Sequence, residues 1–149
     1  MLQELKNRLS QNRSRRNNRA FLEATMASCA LIAMADNEVT FSESSKIDQI
    51  LMNLEELRVY DVHEEIDLFN EHVDAIRMNP EVGRADALRS IALIREDSKA
   101  ARIIVRICIA IAQSDGAVSL VETNQLDDVC RMLDLDPSEF GIQSNARQQ

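Results

Sequence analysis

The sequence predicts an all-α protein, a single-domain bundle of about seven helices built from two pseudo-symmetric helix–loop–helix halves. Three observations lead to this fold class. Only 3 Gly and 2 Pro interrupt the 149 residues, too few for the turns of a β-sandwich, a barrel or a Rossmann sheet. Apolar residues recur with a helical period, and no segment alternates as a strand would. Finally, two stretches of the chain repeat at a constant offset of 79 residues.

The chain begins with a basic, amphipathic segment, residues 1–18, which we call the N-terminal arm. Its Leu2, Leu5 and Leu9 form a short apolar stripe. Residues 1–19 carry a net charge of +5, whereas the rest of the chain holds 11 basic and 24 acidic residues, a net charge of −13. The arm therefore suits docking on an anionic membrane or an acidic partner, or folding back on the acidic body. The candidate docking residues are Arg13, Arg15, Arg16 and Arg19.

Six further helical stretches and a final short turn are predicted from apolar residues at helical spacing and from capping signals. They cover residues 19–35, 47–57, 62–76, 83–94, 96–113 and 119–133, and the turn opens at Asp136-Pro137. Asp61 is the expected N-cap of the 62–76 helix, with Glu64 completing a capping box. Asn79-Pro80 is expected to end that helix, and Gly83 to precede the next one.

The repeat predicts the same tight loop between two helices in each half. The offset pairs Cys29 with Cys108, Asp36 with Asp115, Thr40 with Ser119 and Glu43 with Glu122. Gly116 suits the left-handed residue that ends a helix, and Asn37 is the next best choice. The residues expected to form capping boxes at the start of the following helices are Thr40 with Glu43 and Ser119 with Glu122.

Helix capping leaves the two aspartates of the repeat unexplained. Asp36 and Asp115 lie near the ends of their helices, where free carbonyl groups make the surroundings partly negative. Solvent or an arginine such as Arg102 or Arg106 would balance that charge, and so would a divalent cation. Carboxylate and carbonyl oxygens are the hard ligands that Ca²⁺, Mg²⁺ and Mn²⁺ prefer. The aspartate and glutamate of each loop are only seven residues apart, too close for an EF-hand.

These residues resemble the tellurite resistance protein TerB family. The resemblance covers about residues 19–142, between the N-terminal arm and an expected disordered tail, residues 143–149. It rests on ADNEVTFSE and SDGAVSLVE after apolar helices, and on three later segments. Those are EELRVYD at 55–61, FNEHV at 69–73 and LDLDPSEFG at 133–141.

The resemblance implies an all-helical, non-catalytic, cytoplasmic protein of bacterial tellurium resistance and stress response. It implies partners among the membrane-integral and calcium-binding Ter proteins, and hence a place at the inner-membrane face. It also implies a divalent metal site at the two acidic loops, formed by Asp36, Glu43, Asp115 and Glu122. Asn37 stands where the family often has glycine, so the first site is expected to be weaker than the second.

Other candidate chemistry is weaker. His63 and His72 are nine residues apart and cannot share one helix face as a metal pair. The three cysteines indicate reduced thiols in a cytosol, and the symmetry of Cys29 and Cys108 fits core packing, with a redox role as the alternative. No nucleophile–base pair is visible, so no enzymatic activity is expected. Two functions remain: a metal-binding protein that couples to partners near the inner membrane, and a metal-independent adaptor whose acidic face docks a basic partner.

Overall fold

The structure, a computed structural model, describes residues 1–143, and the side chains of all of these except residues 10–18. The described residues form six α-helices and two 3-10 turns, without a strand, which confirms the all-α prediction. The helices are α1 (Leu2–Ala33), α2 (Phe41–Asn53), α3 (Val62–Met78), α4 (Pro80–Ala92), α5 (Ser98–Ala112) and α6 (Leu120–Met132), with 3-10 turns at Glu55–Leu57 and Pro137–Phe140. Apart from Gln143, the predicted tail lies outside the described residues.

The two halves are α1–α2 and α5–α6. The first loop, residues 34–40, joins α1 to α2, and the second loop, residues 113–119, joins α5 to α6. The second helix of each half packs against the first helix of the other, α2 on α5 and α6 on α1. This exchange is what a two-fold relation between halves requires. The connecting helices α3 and α4 pack against each other and against α1.

Helix α1 begins at Leu2, not near residue 19 as the sequence predicted. Residues 1–33 contain no glycine or proline, so nothing in the polar stretch stops a helix from propagating toward the N-terminus. From Phe21 onward α1 is almost entirely buried, whereas residues 1–9 are exposed. The described part of the N-terminal arm therefore does not fold back on its own body.

The junction of α3 and α4 differs from its prediction. Asn79 and Pro80 do end α3, but Pro80 is also the first residue of α4, and the Asn79 side chain accepts from the backbone N–H of Val82 at 3.3 Å. Gly83 consequently lies inside α4 and is buried. A Cβ there would lie 2.5 Å from both the Cα and the backbone nitrogen of Ile76. The glycine permits the close approach of the two helices.

The predicted cap of α3 is confirmed, but its capping box is not. The Asp61 side chain accepts from the backbone N–H of His63 at 2.9 Å. Glu64 reaches the guanidinium of Arg19 on α1 instead of the backbone of Asp61. An ion pair between helices has replaced a bond within one turn, a choice that local sequence does not reveal.

Candidate functional site

The two loops repeat one backbone geometry. In the first loop the N–H of Asn37 donates to the carbonyl of Met34 at 2.9 Å, and in the second the N–H of Gly116 donates to that of Gln113 at 3.0 Å. Asn37 has a φ of 69° and Gly116 a φ of 99°, so both occupy the left-handed region predicted for them. The 79-residue repeat therefore extends to individual hydrogen bonds.

Both predicted capping boxes are present. In the first, Thr40 N–H donates to Glu43 Oε1 at 2.9 Å, and Glu43 N–H donates to Thr40 Oγ1 at 3.2 Å. In the second, the Ser119 N–H to Glu122 Oε1 distance is 3.0 Å, and the Glu122 N–H to Ser119 Oγ distance is 3.1 Å. Each glutamate thus fixes the start of its helix through one carboxylate oxygen.

Carboxylates from both halves influence one another where the loops meet. Glu43 is only 5% exposed, and burial raises the pKa of its carboxyl group. Hydrogen bonds from Thr40 lower this pKa, whereas the negative charges of Glu122 and Asp36 raise it further. The Asp36 carboxylate also accepts from the backbone N–H of Glu38 at 3.3 Å. Two of the predicted metal ligands, Glu122 and Asp36, therefore act on a third, Glu43, whereas Asp115, exposed like Asp36, is not among the charges that shift its pKa.

The first loop already receives a positive charge from the protein. Arg84 Nη2, on α4, donates to the carbonyls of Met34 at 3.1 Å and Ala35 at 3.2 Å, and to Asn37 Oδ1 at 3.3 Å. These contacts satisfy free backbone carbonyls of two buried residues just after the end of α1. Among the described residues no arginine or lysine donates a hydrogen bond to the carbonyls of the second loop.

The two arginines that the sequence analysis suggests for balancing the charge of the loop aspartates have other surroundings. Arg102 pairs with Glu139 at 2.9 Å and lies over the ring of Phe140, and Arg106 is exposed on α5. Arg84 was missed because α4 lies outside the repeat and 47 residues separate it from Asn37. The one feature of the sequence that points to such a residue is the end of α1, because free carbonyls at a helix end need a hydrogen-bond donor.

The loops offer oxygen donors of the kind that a hard cation prefers, but they can supply only a few of the ligands that such a cation needs. Among residues whose side chains are described, no three carboxylate, imidazole or thiol groups converge into a metal-holding cluster. Glu43 and Glu122 each commit one oxygen to a capping box, which leaves the other oxygen of each carboxylate. Mg²⁺ is commonly held by one or two carboxylates and retained waters, so this donor set fits a largely hydrated ion.

The remaining predicted sites are distributed over the molecule. The side chains of Arg13, Arg15 and Arg16 lie outside the described part of the chain. Arg19 is engaged within the fold, with Glu64 and with Glu23 at 3.4 Å. The three cysteines, Cys29, Cys108 and Cys130, are free thiols buried in the core. None of the described helices is both long and apolar enough to span a membrane.

The comparisons with known proteins cover most of the chain, including both loops. The family described as tellurite resistance protein TerB matches residues 22–144, most of the chain. The chain belongs to the TerB family. A curated TerB relative, a tellurium resistance protein from an Alcaligenes species, is 31% identical over 99 residues, which cover 66% of this chain and 81% of the relative. No solved structure matches. The TerB match includes both acidic loops and begins after the N-terminal arm.

Proposed function

We propose that this TerB-family protein acts in tellurium resistance without catalysing a reaction, by binding a hydrated divalent cation where its two loops meet. The observation that supports this most is the position of Glu43. It is nearly buried, which is the main cause that raises its pKa, and the like charges of Glu122 and Asp36, one from each half, raise it further. Like charges held together in a folded protein are unfavourable, and a cation relieves that repulsion.

The ion that suits this site is Ca²⁺, Mg²⁺ or Mn²⁺, because the loops offer oxygen donors only. Glu43 and Glu122 are the central ligands. Asp36 joins them from the first loop, and Asp115 occupies the matching place in the second loop. Because no three of these groups converge, water fills most of the coordination positions.

The two loops bind with unequal strength in this proposal. Arg84 already donates to two carbonyls and the Asn37 side chain of the first loop, and its charge opposes a second cation there. The second loop has Gly116 at the left-handed position and receives no such contact from the side chains that the structure describes. These differences support the expectation that the second loop is the stronger site.

Metal binding would serve to couple a stress signal to partner proteins at the inner-membrane face, among the membrane-integral and calcium-binding Ter proteins that the resemblance implies. The alternative function is a metal-independent adaptor. One observation favours it: Phe41 and Leu120, the matching first residues of α2 and α6, are 87% and 64% exposed. Apolar side chains beside acidic loops are typical of a surface that contacts another protein.

Calorimetric titration of the chelator-treated protein with CaCl₂, MgCl₂ and MnCl₂ tests the proposal. The variants are Asp36→Asn, Asp115→Asn and the double variant, because these positions carry no capping box. We expect saturable heat for at least one ion, with binding weakened tenfold or more in the double variant and more by Asp115→Asn than by Asp36→Asn.

Asp48→Asn is the matched control, since Asp48 is an exposed carboxylate farther along α2. Its affinity should equal that of the unmodified protein. If no ion produces heat while all proteins stay folded, metal binding is refuted and the adaptor function gains support.

A further inference from the structure

We propose that the N-terminal arm of one molecule docks on the surface around the two loops of a second copy of this chain. We call that surface the loop face and define it by the two loops and by Phe41, Leu120 and Val121. The proposal goes beyond metal binding and does not rest on it, because it concerns the apolar residues beside the loops and a segment outside the family match.

The loop face presents apolar side chains that nothing in the described molecule covers. Phe41 is 87% exposed, Leu120 64% and Val121 44%. Phe41 and Leu120 hold the same position in their halves, so the two sides of the face resemble each other. Phe41 borders a groove of about 560 Å³ and Leu120 a groove of about 460 Å³, both beside the C-terminal end of α5. Gln113 lines both grooves, which places them side by side.

The loop face is also acidic. Asp36, Glu38 and Asp115 are exposed on the loops, and Glu122 is half-buried beside them. They outnumber the two cations that the described residues supply at this face, Arg84, which donates to the first loop, and Lys46, which lines the groove beside Phe41. Residues 20–149 together carry a net charge of −13. A ligand for this face must therefore offer basic groups together with apolar ones.

The N-terminal arm has that combination. Leu2 is 77% exposed, and Leu5 and Leu9 are each 56% exposed, at a spacing that places them on one side of α1. Lys6 and Arg8 are exposed between them, and the sequence adds three further arginines before residue 17. The arm and the loop face are thus complementary in charge, and each has apolar side chains that lack a partner in the described molecule.

The contact must form between molecules. The arm is the leading end of α1, and the first loop follows its other end. A helix of 32 residues is about 48 Å long, so a continuous α1 holds the arm away from the loops of its own chain. Only the loop face of another copy is within reach.

A second copy suits the arm better than an anionic membrane does. The stripe of described apolar side chains contains three leucines and no aromatic anchor, which limits the energy gained from insertion into a bilayer. The acidic body would also be repelled by an anionic surface. Against the loop face, by contrast, the charges of arm and body attract each other.

Sedimentation velocity on the full chain in EDTA tests this arrangement, because the chelator removes any contribution from metal. Self-association is expected to strengthen with protein concentration and to weaken as salt is raised. The arm variant is Leu5→Glu with Leu9→Glu, and the face variant is Phe41→Ala with Leu120→Ala. All four residues are exposed, so the fold should survive, and circular dichroism checks this.

The decisive step is mixing. Each variant alone should be monomeric, whereas an equimolar mixture should form a complex, since the face variant has an intact arm and the arm variant an intact face. The control, Met78→Ala with Leu93→Ala, changes exposed apolar residues of α3 and the segment after α4 and should associate as the unmodified protein does.

Two results would overturn the proposal. One is an unmodified protein that remains monomeric at all concentrations and salt levels. The other is a mixture of variants that stays monomeric although each component is folded. Co-sedimentation with phosphatidylglycerol–phosphatidylcholine vesicles is run in parallel. A monomeric protein that binds these vesicles only with an intact arm would assign the arm to membranes instead. None of these results depends on the calorimetric test for metal.

Discussion

Glu43 and Glu122, the closing glutamates of the two capping boxes, interact across the junction of the two halves: burial is the main cause that raises the pKa of Glu43, and the negative charge of Glu122 raises it further. The two residues are 79 positions apart and come from different helices. A charge in the second half therefore affects the ionisation of a carboxylate in the first.

Replacing Glu122 with glutamine should lower the pKa of Glu43. The amide oxygen of glutamine can still accept from the Ser119 N–H, so the start of α6 is kept while the negative charge is lost. Carboxyl ¹³C chemical shifts followed against pH measure this value directly. Glu38→Gln removes one exposed charge from the first loop and should change the pKa of Glu43 less. An identical Glu43 titration in the Glu122→Gln protein would contradict the interaction.

Gly83→Ala should destabilise the protein, although alanine is the better helix former. Helix propensity alone predicts a gain of about 1 kcal/mol in the free energy of unfolding. The new Cβ would, however, meet the backbone of Ile76 at 2.5 Å, and such overpacking costs about 1–3 kcal/mol. Urea denaturation decides the sign, and Ala85→Gly on the exposed side of α4 measures the propensity contribution separately. A more stable Gly83→Ala protein would show that the helices can separate at no cost.

Glu65→Gln should stabilise the protein at neutral pH and much less in acid. Glu65 is 2% exposed, and its Oε2 has no hydrogen-bond partner among the described residues. Burial, followed by the charge of Asp61, raises its pKa. Because the pKa in the folded state is above that of the unfolded chain, ionisation weakens the fold as pH rises, and protonation restores stability as pH falls.

The difference in the free energy of unfolding between the Glu65→Gln and unmodified proteins should therefore be near zero at pH 4 and grow in favour of the variant as the pH is raised to 7.5. Chemical denaturation at several pH values measures it. Asp67→Asn, an exposed change on the same helix, should give a nearly constant difference. If the difference for Glu65→Gln were also constant with pH, the pKa of Glu65 would not be raised in the folded protein, which would contradict the prediction.

The three thiols should be inert in the folded protein. Cys29, Cys108 and Cys130 are fully buried, and burial is the main cause that raises the pKa of Cys29 and Cys130 to about 12 and that of Cys108 well above its usual range. Since the thiolate is the reactive form, Ellman's reagent should label none of them at pH 8 and all three after denaturation. Rapid labelling of the folded protein would favour the redox alternative.

The features that the sequence predicts correctly are local. Both capping boxes and both left-handed residues depend on side chains within a few positions of each other, and the repeat made each one visible twice. The core positions follow from helical periodicity. The caps Asp97 and Asp136, which the sequence analysis does not name as caps, are equally local, because each side chain accepts from a backbone N–H two or three residues ahead.

The features that the sequence predicts wrongly or omits depend on distant contacts. Glu64 pairs with Arg19 because α1 lies beside α3, and Arg84 reaches the first loop because α4 packs on α1. One error is local: the sequence predicts Gly83 before α4 because Asn79-Pro80 is typical of a helix end, whereas proline at the first position also starts a helix. The interaction of Glu43 with Glu122 required the arrangement of both halves.

The Glu43 carboxylate performs two tasks at once, and the tasks are thermodynamically linked. One oxygen accepts from the Thr40 N–H and so stabilises the first turn of α2. The pKa of the same carboxyl group also depends on the charge of Glu122 in α6. Protonation of this carboxylate, or its capture by another ligand, must therefore alter how tightly α2 is held at its N-terminus. Fraying of α2, conversely, must change the proton affinity at the junction. The stability of the first turn of α2 is in this way linked to the ionisation state of Glu122 at the start of α6.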